Sequence, residues 1–239
     1  IEKNMAACME QKQKELYHAH AQRLALMLQN QTEEEFADSR FQVLSELTRL
    51  RQLCCDPALV YENYEGGSAK LDLCIELIQS AVESGHKILL FSQFTSMIEI
   101  LTARLQEESI SYFVLQGSTK KEQRAQMVEQ FNRDDTSVFC ISLKAGGTGL
   151  NLTGADIVIH YDPWWNVAVE NQATDRAHRI GQKNVVTVYK LIAKGTIEEK
   201  IIKLQQMKKE LAEEILSGDE IKTASFQREE LLELLEERF

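Results

Sequence analysis

Short apolar runs that alternate with helix-like segments constrain the fold of this chain more than any other feature. The runs are four to seven residues long and almost continuously apolar, and they lie at Ile88–Phe91, Tyr112–Leu115, Val138–Ile141, Ile157–Tyr161 and Val185–Leu191. Strands of this kind are buried on both faces, which is typical of a parallel sheet with helices packed on each side. The sequence therefore predicts an α/β domain whose ligands bind at the carboxyl ends of the strands.

Helices are predicted between these strands and on both sides of the sheet-forming region. Apolar residues recur with a helical period up to about Leu28. Thr32 is followed three residues later by Glu35, the spacing of a capping box that starts a second helix. The predicted helices further along the chain lie at Ala69–Gly85, Met97–Leu105, Lys120–Phe131, Val167–His178, from Thr196 onward and at Arg228–Glu237.

The composition limits which classes of protein the chain can belong to. Its 239 residues are 44% hydrophobic, enough to bury a substantial core. No apolar run is long enough to cross a bilayer, and the start lacks the order of a signal peptide. The five cysteines have no C-x-x-C spacing, so we expect reduced residues of an intracellular protein. The formal net charge of −10 argues against binding nucleic acid by bulk charge, so any DNA contact must be local.

A glycine-rich stretch follows the strand that ends at Ile141. Gly146, Gly147 and Gly149 would let the backbone approach a phosphate closely, while Lys144 and Thr148 add a positive charge and a hydroxyl. A tight turn without a ligand is the alternative interpretation. Neither the dinucleotide fingerprint nor the G-x-x-x-x-G-K-[ST] phosphate loop is present.

Both tryptophans of the chain follow the next strand, in the segment Asp-Pro-Trp-Trp-Asn that ends at Asn166. Buried tryptophan used for packing is the usual explanation. Two adjacent tryptophans at the end of a strand cannot easily both be core, so we expect Trp164 or Trp165 to face a cleft or a partner. The segment also resembles the Asp-Pro-Pro-aromatic loop of amino-group methyltransferases, although the second proline is missing.

A third segment places two guanidinium groups and an amide at helical spacing. Gln172, Arg176 and Arg179 are spaced i, i+4 and i+7, which predicts one helix face suited to phosphate oxygens. A solvated face with salt bridges to Glu170 or Asp175 is the alternative. Because all three segments follow strands of one predicted sheet, we expect them to meet at the same edge.

These segments, in this order, resemble the second RecA-like lobe of superfamily 2 nucleic-acid motors, specifically the Swi/Snf-type remodelling ATPases. The resemblance spans essentially the whole chain, and the stretch from Gln172 to Gln182 matches the arginine-finger motif of the family nearly letter for letter. One departure is Val167, where the family often has proline; valine costs little at the first turn of a helix. The other matching stretches are Leu50–Pro57, Ile88–Phe94, Leu115–Ser118 with Arg124 and Phe131, and Ser142–Ala155.

The resemblance implies a RecA-like parallel sheet with helices on both faces, an N-terminal helical protrusion and a C-terminal brace helix. The expected domains are residues 1–68 for the lobe connection and protrusion, 69–195 for the RecA-like lobe, and 196–239 for the brace and tail helices. The compact ending and Glu-rich tail are similar to bacterial members of the family. The expected location is accordingly the cytoplasm or nucleoid, or the nucleus for a eukaryotic protein.

The resemblance also implies a mechanism in which ATP binds between this lobe and a first lobe that supplies the phosphate loop and the Mg²⁺ ligands. Arg179 is then the arginine finger and Arg176 its companion on the γ-phosphate. The energy would drive translocation along double-stranded DNA without strand separation. The implied nucleotide-binding residues are Gly147, Gly149, Gln172, Arg176 and Arg179, and the implied DNA-binding residues are Ser92, Gln93, Lys144, Thr148 and Trp165.

The absence of a phosphate loop and of an Asp-Glu pair after an apolar strand leads us to expect that this chain is part of a longer protein and hydrolyses ATP negligibly by itself. Its expected partners are the N-terminal RecA-like lobe of the same protein and double-stranded DNA, with a DNA-bound protein as a further candidate and no membrane. Two alternatives remain from the residues alone. One is a non-catalytic RecA-like interaction module, and the other is a methyltransferase that uses S-adenosylmethionine.

Overall fold

The chain divides into two compact units in a computed structural model that describes residues 1–143, 145, 150–177, 182, 184–214 and 228–235. The first, which we call the sheet unit, comprises Ile1–Ala7 and Ser68–Ile192. The second, the helical unit, comprises Cys8–Gly67 and Ala193–Phe239. No helix within the described ranges is long and apolar enough to cross a membrane.

The sheet unit is built on six strands in the order β1-β6-β5-β2-β4-β3. Neighbouring pairs from β6 to β3 are parallel. At the β1 edge the Ile1 amine donates to the Val186 carbonyl and the Ile1 carbonyl accepts from the Val188 amide, which is the parallel pattern. The strands are β1 (Glu2–Ala7), β2 (Ile88–Ser92), β3 (Tyr112–Leu115), β4 (Val138–Ser142), β5 (Ile157–His160) and β6 (Thr187–Ala193).

The central strands confirm the predicted parallel sheet with both faces covered. Every residue of β2, β4 and β5 is buried. Because successive side chains of a strand point to opposite faces, uniform burial means that both faces are packed. Phe131 and Phe113 pack their rings against Phe139 of β4 in this core. The α/β fold class expected from the sequence is therefore correct.

The first three helices of the sheet unit begin and end close to the predicted residues. The third predicted helix stops where Gly85 adopts a φ of 77°, a left-handed conformation that glycine adopts without strain. Its end is closed by the Gly85 amide donating to the Val82 carbonyl and the His86 amide donating to the Ala81 carbonyl. The helices are α3 (Ala69–Glu83), α4 (Thr95–Glu107), α5 (Lys121–Arg133) and α6 (Val167–Thr174).

The N-terminal residues depart from the expectation of a helical start. Glu2–Ala7 form the edge strand β1 beside β6, whereas helical periodicity was expected to hold throughout up to about Leu28. Five of the six residues of β1 are not buried, so no alternating apolar pattern marks the strand in the sequence. Pairing with β6, nearly 190 residues further along the chain, decides its conformation.

The helical unit confirms the predicted capping box. Thr32 Oγ1 accepts from the Glu35 amide, and Glu35 Oε2 accepts from the Thr32 amide. The Tyr17 hydroxyl accepts from the buried amide of Ile197 at 2.8 Å, which joins the first helix to the start of the long one near the C-terminus. The elements are α1 (Gln11–Gln29), α2 (Glu33–Cys55), a 3-10 turn (Pro57–Leu59), α7 (Ile197–Glu214) and α8 (Arg228–Leu235).

Candidate functional site

The carboxyl ends of β2, β4 and β5 lie side by side, so the segments that follow them share one edge of the sheet. Ser92, the last residue of β2, is in register with Ser142 of β4. Phe91 is in register with His160, the last residue of β5. The Leu143 amide donates to the Ser92 carbonyl at 3.0 Å, which extends the pairing to the first residue beyond β4. This is the edge where ligands of open parallel sheets bind.

Asp162 joins the ends of β2 and β5. One oxygen of its carboxylate accepts from the Ser92 hydroxyl at 2.5 Å, and both oxygens lie 3.3 Å from the Gln93 amide nitrogen. Ser92 is 0% exposed and Asp162 is 1% exposed. The Ser92 side chain is thus occupied inside the protein rather than presented to a ligand, while the neighbouring Gln93 is half-buried at the surface.

Arg124 of α5 fixes the position of the loop that follows β4. Its guanidinium donates to the Ala145 carbonyl at 3.0 Å, to the Thr119 carbonyl at 2.8 Å and to the Gly117 carbonyl at 3.1 Å. The Arg124 guanidinium therefore holds together the loop after β3 and the chain just before the glycine stretch. The four predicted site residues of the loop after β4, Lys144, Gly147, Thr148 and Gly149, lie outside the described residues.

The segment Asp162–Asn166, which we call the tryptophan loop, places its two indoles differently. Trp164 is partly buried and packs against the core of the sheet unit. Trp165 is half-buried. The side chain of Asn166 accepts from the Ala168 amide at 2.9 Å and so caps α6, which begins at Val167 without the proline common in the family.

The helix that carries the predicted arginine stripe is shorter than expected, and this corrects the sequence interpretation. Helix α6 ends at Thr174, and the amides of Arg176 and Ala177 bond to carbonyls three residues earlier, which tightens the chain into a turn. Gln172 is exposed on α6, but Arg176 lies beyond the helix and is only 4% exposed. Within the described residues, up to residue 177, Gln172 and Arg176 therefore do not share the face of one continuous helix. Arg179 lies outside the described residues.

The chain around Arg176, which we call the arginine segment (residues 172–182), is bonded to the chain that follows the glycine stretch. The Arg176 carbonyl accepts from the Leu152 amide at 3.0 Å. The side-chain amide of Gln182 donates to the Ala155 carbonyl at 2.6 Å and to the Ala177 carbonyl at 3.2 Å. Two of the three predicted segments are thus in direct contact, as the common sheet edge predicts.

A buried polar cluster that the sequence did not predict lies under α6. Glu170 pairs with Lys190 of β6 at 2.6 Å, and Lys190 also pairs with Glu2 of β1. His160 Nε2 lies 3.0 Å from Thr174 Oγ1. The only sequence signal for this cluster is the pair of polar residues, His160 and Lys190, within otherwise apolar strands.

The charges of this cluster follow from burial and pairing. Burial lowers the pKa of His160 to about 4, so its imidazole is neutral at pH 7. Burial opposes ionisation of Glu170, but His160, Lys190 and the hydrogen bonds from Lys190 and Trp164 keep its pKa below the ordinary value. Burial likewise opposes the charge on Lys190, but Glu170 and Glu2 raise its pKa. Glu170 and Lys190 therefore form a charged pair next to a neutral histidine.

Comparison with known proteins identifies the family. Residues 69–181 match the model of the helicase conserved C-terminal domain. The chain aligns over its whole length with 99% of the solved C-terminal domain of a SWI2/SNF2 ATPase from Sulfolobus solfataricus, at 31% identity and a TM-score of 0.79. A structure of the ATPase core from the same organism in complex with double-stranded DNA is 33% identical, with a TM-score of 0.76, over 90% of this chain and 46% of that one.

The chain therefore belongs to the SWI2/SNF2 branch of the helicase C-terminal domain family. An uncharacterised ATP-dependent helicase of Mycoplasma pneumoniae is 45% identical over 202 residues, or 83% of this chain and 19% of that protein. The chain thus spans about a fifth of the length of the curated relatives that it matches first. The methyltransferase interpretation gains no support, because the carboxylate of Asp162 is turned inward to Ser92 and Gln93.

Proposed function

We propose that this chain is the second motor lobe of an ATP-dependent translocase that moves along double-stranded DNA. The observation that carries the proposal is the meeting of the glycine-stretch flanks, the tryptophan loop and the arginine segment at the carboxyl edge of one parallel sheet. The family supports it, since solved members include an ATPase core in complex with double-stranded DNA. The parent protein is then a DNA-dependent ATPase, and this lobe supplies half of its nucleotide site.

The nucleotide side of the lobe is the arginine segment. We infer that Arg179 is the arginine finger and Arg176 its companion, with Gln172 between the nucleotide and the DNA-facing loops. A guanidinium placed on the transferring phosphoryl group stabilises the charge that develops there. The hydrogen bonds from Leu152 and Gln182 support this role, because they fix the backbone of the segment against the chain that follows Gly147 and Gly149.

The first lobe supplies the phosphate loop and the ligands of Mg²⁺ in this proposal. Among the residues that the structure describes, no group of three His, Cys, Asp or Glu side chains is placed to hold a metal ion. Arginine side chains act on the nucleotide from the opposite side of the cleft, where they need no metal of their own. ATP with Mg²⁺ is thus the proposed substrate of the joined lobes.

The DNA side consists of Gln93, Trp165, Lys144 and Thr148. Gln93 and Trp165 are half-buried at the sheet edge. Contacts of this kind grip the backbone and groove edge without reading bases, so we expect binding to be nearly independent of sequence. Local contacts are also what a chain of net charge −10 requires.

The helical unit completes the proposed architecture. We infer that α1 and α2 form the protrusion that grows out of the lobe, and that α7 is the brace that returns toward the first lobe. Glu2–Ala7, at the start of the residues 1–68 that are expected to form the lobe connection and protrusion, add a strand to the sheet. A DNA-bound protein is the proposed object on which the moving motor acts.

The proposal predicts that this chain hydrolyses no measurable ATP by itself, with or without duplex DNA, because half of the nucleotide site is missing. The same chain joined to a first lobe should show DNA-stimulated turnover, measured by phosphate release. A phosphate-loop lysine-to-alanine change in the first lobe is the control for contaminating ATPases. Turnover by the single lobe above the background of the joined protein with that lysine change, purified in the same way, would refute the proposal. A joined protein without turnover would favour a non-catalytic module.

A further inference from the structure

We propose that Glu170 is the positioning residue through which DNA bound at the tryptophan loop raises the rate of ATP hydrolysis at the arginine segment. This inference rests on the function proposed above and adds to it a route for regulation by DNA. Glu170 does not touch either ligand in the proposal. It acts because it lies on α6, between the tryptophan loop and the arginine segment.

Glu170 of α6 contacts two other elements through its two carboxylate oxygens. One oxygen accepts from the Trp164 amide at 3.2 Å, and the other lies 2.6 Å from Lys190 Nζ. The residue is only 1% exposed. Gln172 follows two residues later on the same helix. A displacement of the tryptophan loop therefore acts directly on the helix that leads into the arginine segment.

Helix α6 is held on the sheet by contacts other than those of the Glu170 carboxylate. His160 of β5 bonds to Thr174, and Ala173 and Ala177 pack in the core. The Leu152 amide holds the carbonyl of Arg176. Buried ion pairs also contribute little net stability compared with apolar residues of the same size. The helix thus has attachments that do not involve Glu170, whereas the bond to Trp164 joins the helix to the loop.

Lys190 sets the orientation of the carboxylate. It is held between Glu170 and Glu2, and its ammonium group is mostly buried, at 13% side-chain exposure. A charged hydrogen bond in such a setting is stronger and more directional than one at the surface. Lys190 therefore holds the Glu170 carboxylate in the orientation in which its second oxygen accepts from the Trp164 amide.

The test is the substitution Glu170→Gln in a protein that carries both lobes. We expect the ratio of DNA-stimulated to basal ATP hydrolysis to fall about 5- to 10-fold, at the lower end of typical couplings between two sites. The basal rate and the KM for ATP should stay close to those of the parent, because the arginine segment keeps its other attachments. Glu129→Gln, which removes an exposed glutamate paired with Arg133 at 2.8 Å, is the matched control and should change nothing.

A spectroscopic signature in the present chain reports on the loop alone, since Trp164 and Trp165 are its only tryptophans. We expect Glu170→Gln to shift the tryptophan emission to longer wavelength and to increase its quenching by acrylamide. The double variant Glu170→Met with Lys190→Met removes both charges of the buried pair, so neither is left without the other. This variant is measured if Glu170→Gln does not fold. It should show the same loss of DNA stimulation.

Each outcome either supports or overturns the inference. A folded variant with unchanged DNA stimulation, or with basal and stimulated rates lowered by the same factor, shows that Glu170 does not link the two elements. Unchanged emission together with lost stimulation overturns the proposed route through the tryptophan loop. A parent protein that shows no DNA stimulation at all contradicts the proposed function instead, so the two failures are distinguishable.

Discussion

We expect the substitution Arg179→Ala, in a protein that carries both lobes, to lower kcat for DNA-stimulated ATP hydrolysis by about 10³-fold or more. The guanidinium is proposed to meet charge that develops only as the phosphoryl group is transferred, so its loss should affect kcat far more than the KM for ATP. Steady-state phosphate release at saturating duplex DNA measures both constants. Arg179→Lys should also be severely impaired, because an ammonium cannot reproduce the planar, bidentate geometry.

The matched control is Arg133→Ala. Arg133 lies at the end of α5 with a side chain that is 77% exposed, and its ion pair with Glu129 is a surface pair of little energetic value. We expect wild-type kinetics from this variant. Retention of ATPase activity by Arg179→Ala would show that Arg179 is not the arginine finger.

The second large effect is expected for Asp162→Ala, which should lower the free energy of unfolding of the sheet unit by about 2–4 kcal/mol. The carboxylate is buried and accepts from the Ser92 hydroxyl and the Gln93 amide, so its removal leaves two donors without their acceptor in the core. Urea unfolding monitored by tryptophan emission suits this measurement, since Trp164 and Trp165 follow Asp162 closely in the chain. Asp162→Asn should cost less because it keeps one acceptor oxygen.

A double-mutant cycle separates this contact from a general loss of packing. Ser92→Ala and Asp162→Ala should together cost less than the sum of the single variants, with a coupling energy of about 1 kcal/mol or more. Asp135→Ala, an exposed aspartate of the same unit, is the control and should leave stability unchanged. Strictly additive losses would show that the two side chains do not interact as the structure indicates.

The parts of the fold that local patterns determine were predictable from the sequence. The runs at Ile88–Phe91 and Val138–Ile141 are apolar without alternation because both faces of the sheet are covered, and they are strands β2 and β4. The capping box at Thr32 and the helix end at Gly85 depend on residues within one or two turns. The meeting of three segments at one edge followed from the parallel order of the strands.

The parts that depend on distant partners were not predictable. The family resemblance implies a DNA-binding role for Ser92, but Asp162, 70 residues later in the sequence, accepts from its hydroxyl inside the protein. The exposed strand β1 exists because β6 pairs with it. Helix α6 has helical spacing as far as Arg176, yet it ends at Thr174 because the chain tightens around Ala173 and Ala177. Helical spacing makes Glu170 a candidate salt-bridge partner of the arginines on a solvated face, whereas in the structure it pairs with Lys190 inside the protein.

The central claim is that this lobe serves a motor that moves along duplex DNA, and displacement of a third strand from a DNA triplex tests it most directly. A two-lobe protein should release the third strand only when ATP is hydrolysed, while the underlying duplex stays paired. Arg179→Ala should abolish the release. Separation of the duplex strands, or ATP hydrolysis without any release of the third strand, would contradict the account.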